Sequence, residues 1–307
     1  MKLIHILTLI FFILTGCSKT IKPQQLFTDV QELSSDKYKG RKTGTAENQM
    51  AAEYIIRRFK EIGLNAYNDE YKKSFIFTDR TGNETPQGSN LIGYIEGKKP
   101  DAIVISAHYD HIGIIDGKIY NGADDNASGI GGLLSIASYF AKNPPEHTLI
   151  FAAFDAEESG LKGAKAFVEN PTIDINLIKL NVNMDMISRS RKNELYVAGT
   201  SHYPFLKSYV FNTDSKIKVL FGHDTSGLGG DDWTNQSDHA AFHSKKIPFL
   251  YFGVENHSDY HKPTDDFSRI HKEFYQNAVH AILETIKNID KSVSIQKVFR
   301  DKLIMKE

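Results

Sequence analysis

Four apolar runs in this chain each lead into imidazole or carboxylate side chains. Ile103-Val104-Ile105-Ser106 is followed by Ala107-His108-Tyr109-Asp110-His111. Leu149 to Phe154 runs into Asp155-Ala156-Glu157-Glu158, Leu180 to Met184 meets Asp185, and Phe249 to Phe252 precedes His257 and His261. One Asp after such a run is ordinarily a turn former or a helix cap. Four run ends that all carry metal-ligating side chains point to a metal site. Imidazole with carboxylate and no thiolate suits zinc, or cobalt or manganese. A calcium site would not recruit His. Three carboxylates and two His exceed the three protein ligands of one catalytic zinc. The count therefore suggests two ions sharing a carboxylate, roughly 3.5–4 Å apart.

The runs can bring these residues together only as neighbouring strands of one sheet. Strands are expected at 91–95, 103–106, 148–154, 180–184, 194–197 and 247–252. Helices are expected at 24–33, 45–62, 129–140, 161–168, 203–211 and 274–289. The helix at 45–62 has the clearest signature. Thr45 can cap it, Ala51, Ala52, Ile55, Phe59 and Ile62 recur at helical spacing, and Gly63 can end it. Strands alternating with helices predict an α/β fold with a mostly parallel central sheet and helices on both faces. In such sheets ligands bind beyond the carboxyl ends of the strands, where these His and carboxylates fall. Residues 222–236, rich in Gly and Asp, read as a long loop. There is no internal repeat and no linker long enough to divide the chain. Residues 40–307 are therefore expected to form one domain, preceded by a tether and helix over 17–39.

Composition narrows the class further. The chain has 307 residues, 37 Lys and Arg against 38 Asp and Glu, and a formal net charge of −1. Nothing in that balance suggests nucleic acid. A single cysteine excludes an internal disulfide framework and a Cys-rich zinc module. Lys2 followed by the apolar run Leu3 to Leu14 reads as a signal peptide, too short to span a bilayer. It ends Leu14-Thr15-Gly16-Cys17, which resembles the bacterial lipoprotein box. That resemblance implies removal of residues 1–16 and a lipid on Cys17. The remaining chain would then be tethered to a cell-envelope membrane, with its folded part in the periplasm or at the cell surface. Cys17→Ser is expected to release the protein from the membrane fraction in active form. A Cys17→Ser protein still bound to membranes would contradict the anchor.

The order of motifs also carries a resemblance. His108-Tyr-Asp110, Gly122-Ala-Asp-Asp125-Asn-Ala-Ser-Gly129, Glu157-Glu158-Ser-Gly-Leu, Asn183-Met-Asp185 and Tyr260-His261-Lys-Pro follow one another. This series, with Gly40-Arg41 and Gly44-Thr45 upstream, resembles the co-catalytic di-zinc aminopeptidases. That family includes bacterial leucyl-type aminopeptidases and glutamate carboxypeptidase relatives. The resemblance spans about residues 40–289. It implies a zinc-exopeptidase-like fold, peptide substrates and two Zn2+ per chain. His108 and Asp185 would hold one ion, and Glu158 and His261 the other. Asp125 would bridge them, ahead of its competing neighbour Asp124, and a cis peptide bond would follow it. Glu157 is the implied general base, free of the metal and near the water whose proton it takes. Asp110 is placed to accept the second N–H of His108 and set its tautomer. Asp265 would do similar work near His261.

Hydrolysis of N-terminal residues from peptides is the function this pattern supports. Glutaminyl cyclisation at a single zinc is the alternative on a related fold. A binding ectodomain without catalysis is a third, disfavoured because all five ligands are present. Ser237-Asp238-His239 resembles a family motif near the substrate pocket, and is read either so or as helix-capping. Trp233 could line the pocket or anchor its loop, and His111 receives no role. His147, His202, His223, His243, His271 and His280 read as surface or packing residues.

Overall fold

Strands that are apolar along their whole length need cover on both faces, and the central strands of this protein have it. The computed structural model describes residues 22–78, 84–212, 216–225, 227 and 231–292. The expected signal peptide and Cys17 lie outside the described residues. The helices are α1 (Pro23–Leu33), α2 (Ala46–Ile62), α3 (Gly129–Phe140), α4 (Lys162–Glu169), α5 (His239–Ser244) and α6 (Lys272–Asp290). The strands begin with β1 (Asn65–Ala66), β2 (Lys72–Thr78), β3 (Glu84–Ile95) and β4 (Lys99–His108). A hairpin of β5 (Gly113–Ile115) and β6 (Lys118–Tyr120) follows, then β7 (His147–Phe154) and β8 (Ile178–Met184). The last are β9 (Glu194–Ala198), β10 (Lys218–Phe221) and β11 (Phe249–Gly253).

The main sheet has nine strands in the order β1-β3-β7-β4-β8-β11-β9-β10, with β2 paired to β3. Its centre, β7-β4-β8-β11, is parallel as expected. On one side β3 joins β7 antiparallel, and on the other β9 joins β11 antiparallel. Side chains that alternate along β4 and β7 enter two separate cores. Ile103, Ile105, Leu149 and Phe151 pack with Val30 and Leu26 of α1, Phe59 of α2, Leu133 of α3 and Ile282 of α6. Val104, Ile150 and Phe154 face the other way, onto Phe167 of α4 and Phe242 of α5. Helix α1, the N-terminal helix expected ahead of the 40–307 domain, thus packs into the main core of that domain.

Helix α2 starts and stops where its residues dictate. The Thr45 side chain accepts the backbone N–H of Asn48, and Gly63 adopts a left-handed φ of 87°. The segment expected as a helix over 203–211 is instead a 3-10 turn over Pro204–Tyr209. The 222–236 loop ends in the short turn Trp233–Asn235.

Arg41 ties this scaffold to the loops above it. It is buried, 1% exposed, and donates to four main-chain carbonyls. Its Nε reaches Tyr109 O at 2.8 Å and Nη2 reaches Gly122 O at 3.0 Å. Its Nη1 reaches Leu33 O at 2.9 Å and Asn121 O at 2.5 Å. Burial pulls its pKa down to about 10, against the pull of Asp125, Asp110, Asp265 and Glu158. Arg41→Met would strand three buried carbonyls and the half-buried one of Asn121, and remove the cation facing those acids. It is expected to cost about 3 kcal/mol of folding stability, read as a lower urea midpoint at unchanged m. A loss below about 1 kcal/mol would show that the carbonyls find other donors.

Candidate active site

Because β4, β7, β8 and β11 are parallel, their carboxyl ends lie on one edge. In register, His108 lies opposite Phe154, Ser106 opposite Asn183, and Met184 opposite Phe252. The chain therefore delivers His108, Glu157, Glu158, Asp185 and the 254–261 loop to the same place. Asp125 arrives from the turn Ala123–Ser128, which leads into α3. Gly122 has a φ of 56°, and a Cβ there would collide with Asp125 O and the His111 ring. The Asp125–Asn126 peptide bond is cis. Asn126 fastens the turn to β8, donating from Nδ2 to Met184 O at 3.0 Å and accepting the N–H of Met186 at 3.2 Å.

The donor atoms fall into two sets joined by one carboxylate. His108 Nε2 is 3.4 Å from Asp125 Oδ1 and 3.4 Å from Asp185 Oδ1. His261 Nε2 is 3.1 Å from Asp125 Oδ2 and 3.4 Å from Glu158 Oε2. Ligands about 2.0–2.1 Å from a tetrahedral zinc stand about 3.3 Å from one another, so both sets fit such an ion. The orphaned atoms fit as well: Asp185 Oδ1 and Glu158 Oε1 are buried without a hydrogen-bond partner among the described residues. Glu157 offers an oxygen within 4.8 Å of the His108 and Asp185 donors, while Glu158 faces the second set. The two adjacent glutamates thus point to different sets. Desolvation, reinforced by Asp185 and Asp238 and opposed by His108, pushes Glu157 well above the usual carboxylate range.

Two positioning expectations turn out differently. The Asp110 carboxylate lies 3.7 Å from His108 Nδ1, which sits closer to the Asp110 backbone carbonyl at 3.2 Å. The carboxylate instead accepts the backbone N–H of Glu157 at 3.0 Å and of Glu158 at 3.3 Å. Asp110 therefore holds the glutamate pair, because the turn after β7 presents its free N–H groups there. Asp265 does not meet His261. It accepts the N–H groups of Asp124 and Asp125, each at 3.1 Å, and so fixes the turn that carries Asp125. Asp124 is turned away from the donor sets. Its oxygens accept the N–H and hydroxyl of Ser188, both at 2.7 Å, and face His257 Nε2 at 3.0 Å.

His111, given no role from sequence, is buried beside the second set. Its Nδ1 is 2.7 Å from Glu158 Oε1 and 3.8 Å from Asp125 Oδ2. Neither His111 Nδ1 nor Glu158 Oε1 makes a hydrogen bond, so they meet as two donors facing one ion would. The only sequence signal was its place three residues after His108. Asp155 was also missed as a brace. It accepts from Thr43 Oγ1 at 2.8 Å, Asn48 Nδ2 at 3.1 Å and Ser89 N at 2.9 Å, pinning α2 and β3 to the end of β7.

Among the undecided residues, Trp233 lines the cavity over the donors, with its ring stacked on His223 at 3.8 Å. His239 does not reach the cavity. Its Nε2 meets Trp233 O at 2.9 Å, and burial lowers its pKa to about 3. Asp238 is fully buried with neither oxygen hydrogen-bonded among the described residues, and burial raises its pKa to about 8.

An open α/β sheet with two linked donor sets at its carboxyl edge defines a class of metal-binding fold. Residues 90–286 match peptidase family M28, and the chain belongs to that family. It is 30% identical over 238 residues to aminopeptidase YwaD of Bacillus subtilis, covering 72% of this chain and 49% of that protein. It is 29% identical over 191 residues to the alkaline phosphatase isozyme conversion protein of Escherichia coli, covering 58% and 51%. The chain thus spans about half the length of these curated relatives. Among solved structures, BSAP, a zinc aminopeptidase from Bacillus subtilis, superposes with a TM-score of 0.72. It shares 19% identity over 90% of this chain and 97% of that one. Glutaminyl cyclase from Porphyromonas gingivalis superposes with a TM-score of 0.70 at 19% identity, over 90% and 100%. Likeness at this level shows the shared fold.

Proposed function

We propose that this protein is a zinc-dependent aminopeptidase with two ions per chain. One observation carries the reading: a single carboxylate, Asp125, presents one oxygen to His108 and the other to His261. His108 and Asp185 would hold one ion, Glu158 and His261 the other, and Asp125 both. Zinc in these positions supplies Lewis-acid polarisation of the scissile carbonyl and acidifies water.

The chain's own residues do the rest. Glu157 takes a proton from the attacking water and hands it to the leaving amine nitrogen. One of its oxygens lies within 4.8 Å of the His108 and Asp185 donors, which puts the carboxylate within reach of that water. Asp110 fixes the backbone of Glu157 and Glu158, which keeps base and ligand in their separate orientations. Tyr260, Tyr251 and Trp233 wall the cavity over the donors. Cys17, if lipidated, would tether the enzyme to a membrane. Among the described residues, no helix is long and apolar enough to cross one.

The test is a panel of aminoacyl chromogenic substrates and a peptide with N-terminal Gln, with and without chelator. Release of N-terminal residues that chelator abolishes and zinc restores is the expected result. Cyclisation of the Gln peptide by protein holding one zinc, with no hydrolysis, would overturn it.

A further inference from the structure

A larger cavity adjoins the donor site and takes no part in the chemistry above. It holds about 510 Å³ and shares Val254 and Asn256 with the wall of the donor cavity. One side is the loop that follows Asp185, which places Arg189, Arg191 and Lys192 on the wall. The lining is completed by Glu194 and Tyr196 of β9 and residues 255–258.

The charges on this wall do not cancel locally. Glu194 is engaged by the Lys218 cation at 3.4 Å, the exposed Glu255 faces the His223 imidazole at 3.2 Å, and His257 faces Asp124 at 3.0 Å, which leaves Arg191 and Lys192 against the single carboxylate of Glu255. Arg189 is 6% exposed and pairs through Nη2 with Asp259. Its Nη1 is a buried donor with no acceptor among the described residues. Arg191 and Lys192 are exposed and have no carboxylate within ion-pairing distance among the described residues. Arg191 and Lys192 thus stand as two unpaired cations in the same lining as the Arg189 guanidinium, and a carboxylate is an oxyanion that such groups bind.

We propose that this cavity is a carboxylate subsite, which makes the enzyme select peptides with a negative charge within their first few residues. The inference rests on the aminopeptidase reading for its choice of ligand. The carboxylate would come from an acidic side chain or from the free C-terminus of a short peptide.

Calorimetry on the zinc-loaded protein tests this with three short peptides. All carry the same reduced first amide bond, so none can be hydrolysed. One is neutral with an amidated C-terminus, one adds an acidic side chain to the amide form, and one is neutral with a free C-terminus. At low salt at least one anionic peptide is expected to bind about tenfold tighter than the neutral amide. The gain should shrink as salt screens it. It should be lost in Arg191→Glu/Lys192→Glu and mostly lost in the milder Arg191→Gln/Lys192→Gln. Which anionic peptide gains identifies the source of the carboxylate. Equal affinities for all three, binding by none, or a gain that survives both double variants would overturn the subsite. Turnover of the unmodified peptides judges the enzyme reading separately. Preferential binding without hydrolysis would keep the subsite and sink the aminopeptidase.

Discussion

Glu157→Gln is expected to lower turnover by roughly 10²–10⁴-fold while the protein keeps its zinc. The amide preserves size and hydrogen bonding but cannot take a proton from water. Its neighbour provides the control. Glu158→Gln leaves Glu157 in place and weakens a donor to the second ion, because a neutral amide is a poor ligand for a dication. Its activity should recover in part with excess zinc, while that of Glu157→Gln should not. The structure gives this contrast a basis, since the two side chains face different donor sets while Asp110 holds both backbones. A Glu157→Gln protein rescued by zinc would show that base and ligand have been exchanged. Unchanged turnover in both variants would remove the pair from the mechanism.

Asp125→Ala is expected to have the larger effect on metal content. Among the described residues, no other carboxylate stands 3.4 Å from His108 Nε2 through one oxygen and 3.1 Å from His261 Nε2 through the other. Removing it should lower occupancy of both sites together and abolish activity. Asp185→Ala should empty chiefly the His108 site. Metal analysis after dialysis distinguishes the two patterns. Loss of only one ion from Asp125→Ala would mean that the carboxylate is not shared.

The centre of this fold is legible in the sequence because buried parallel strands leave apolar runs with abrupt polar ends. His108, Asp185 and the Glu157-Glu158 pair could be singled out for that reason, without knowing which strands are neighbours. Elements lacking such a signal went unread. Strand β2 is an edge strand with Ile76 70% exposed, so its residues do not announce a core. Helix α5 has six residues, too few to show a period. The roles of Asp110, Asp265 and His111 were misplaced or missed for a different reason. Each depends on which backbone N–H or donor the fold brings opposite it. Asp265 lies 140 residues from the Asp125 N–H it accepts, a pairing that no local pattern encodes. Arg41 stands out in the sequence only through resemblance, because a charged residue between two turns reads as solvated, whereas in the fold four carbonyls surround it.

The most direct test of the central claim is anomalous diffraction at the zinc edge from crystals of the zinc-loaded protein. Two peaks roughly 3.5–4 Å apart are expected, one against His108 and Asp185 and the other against Glu158 and His261, with Asp125 between them. A single peak, or a pair that Asp125 does not bridge, would contradict it.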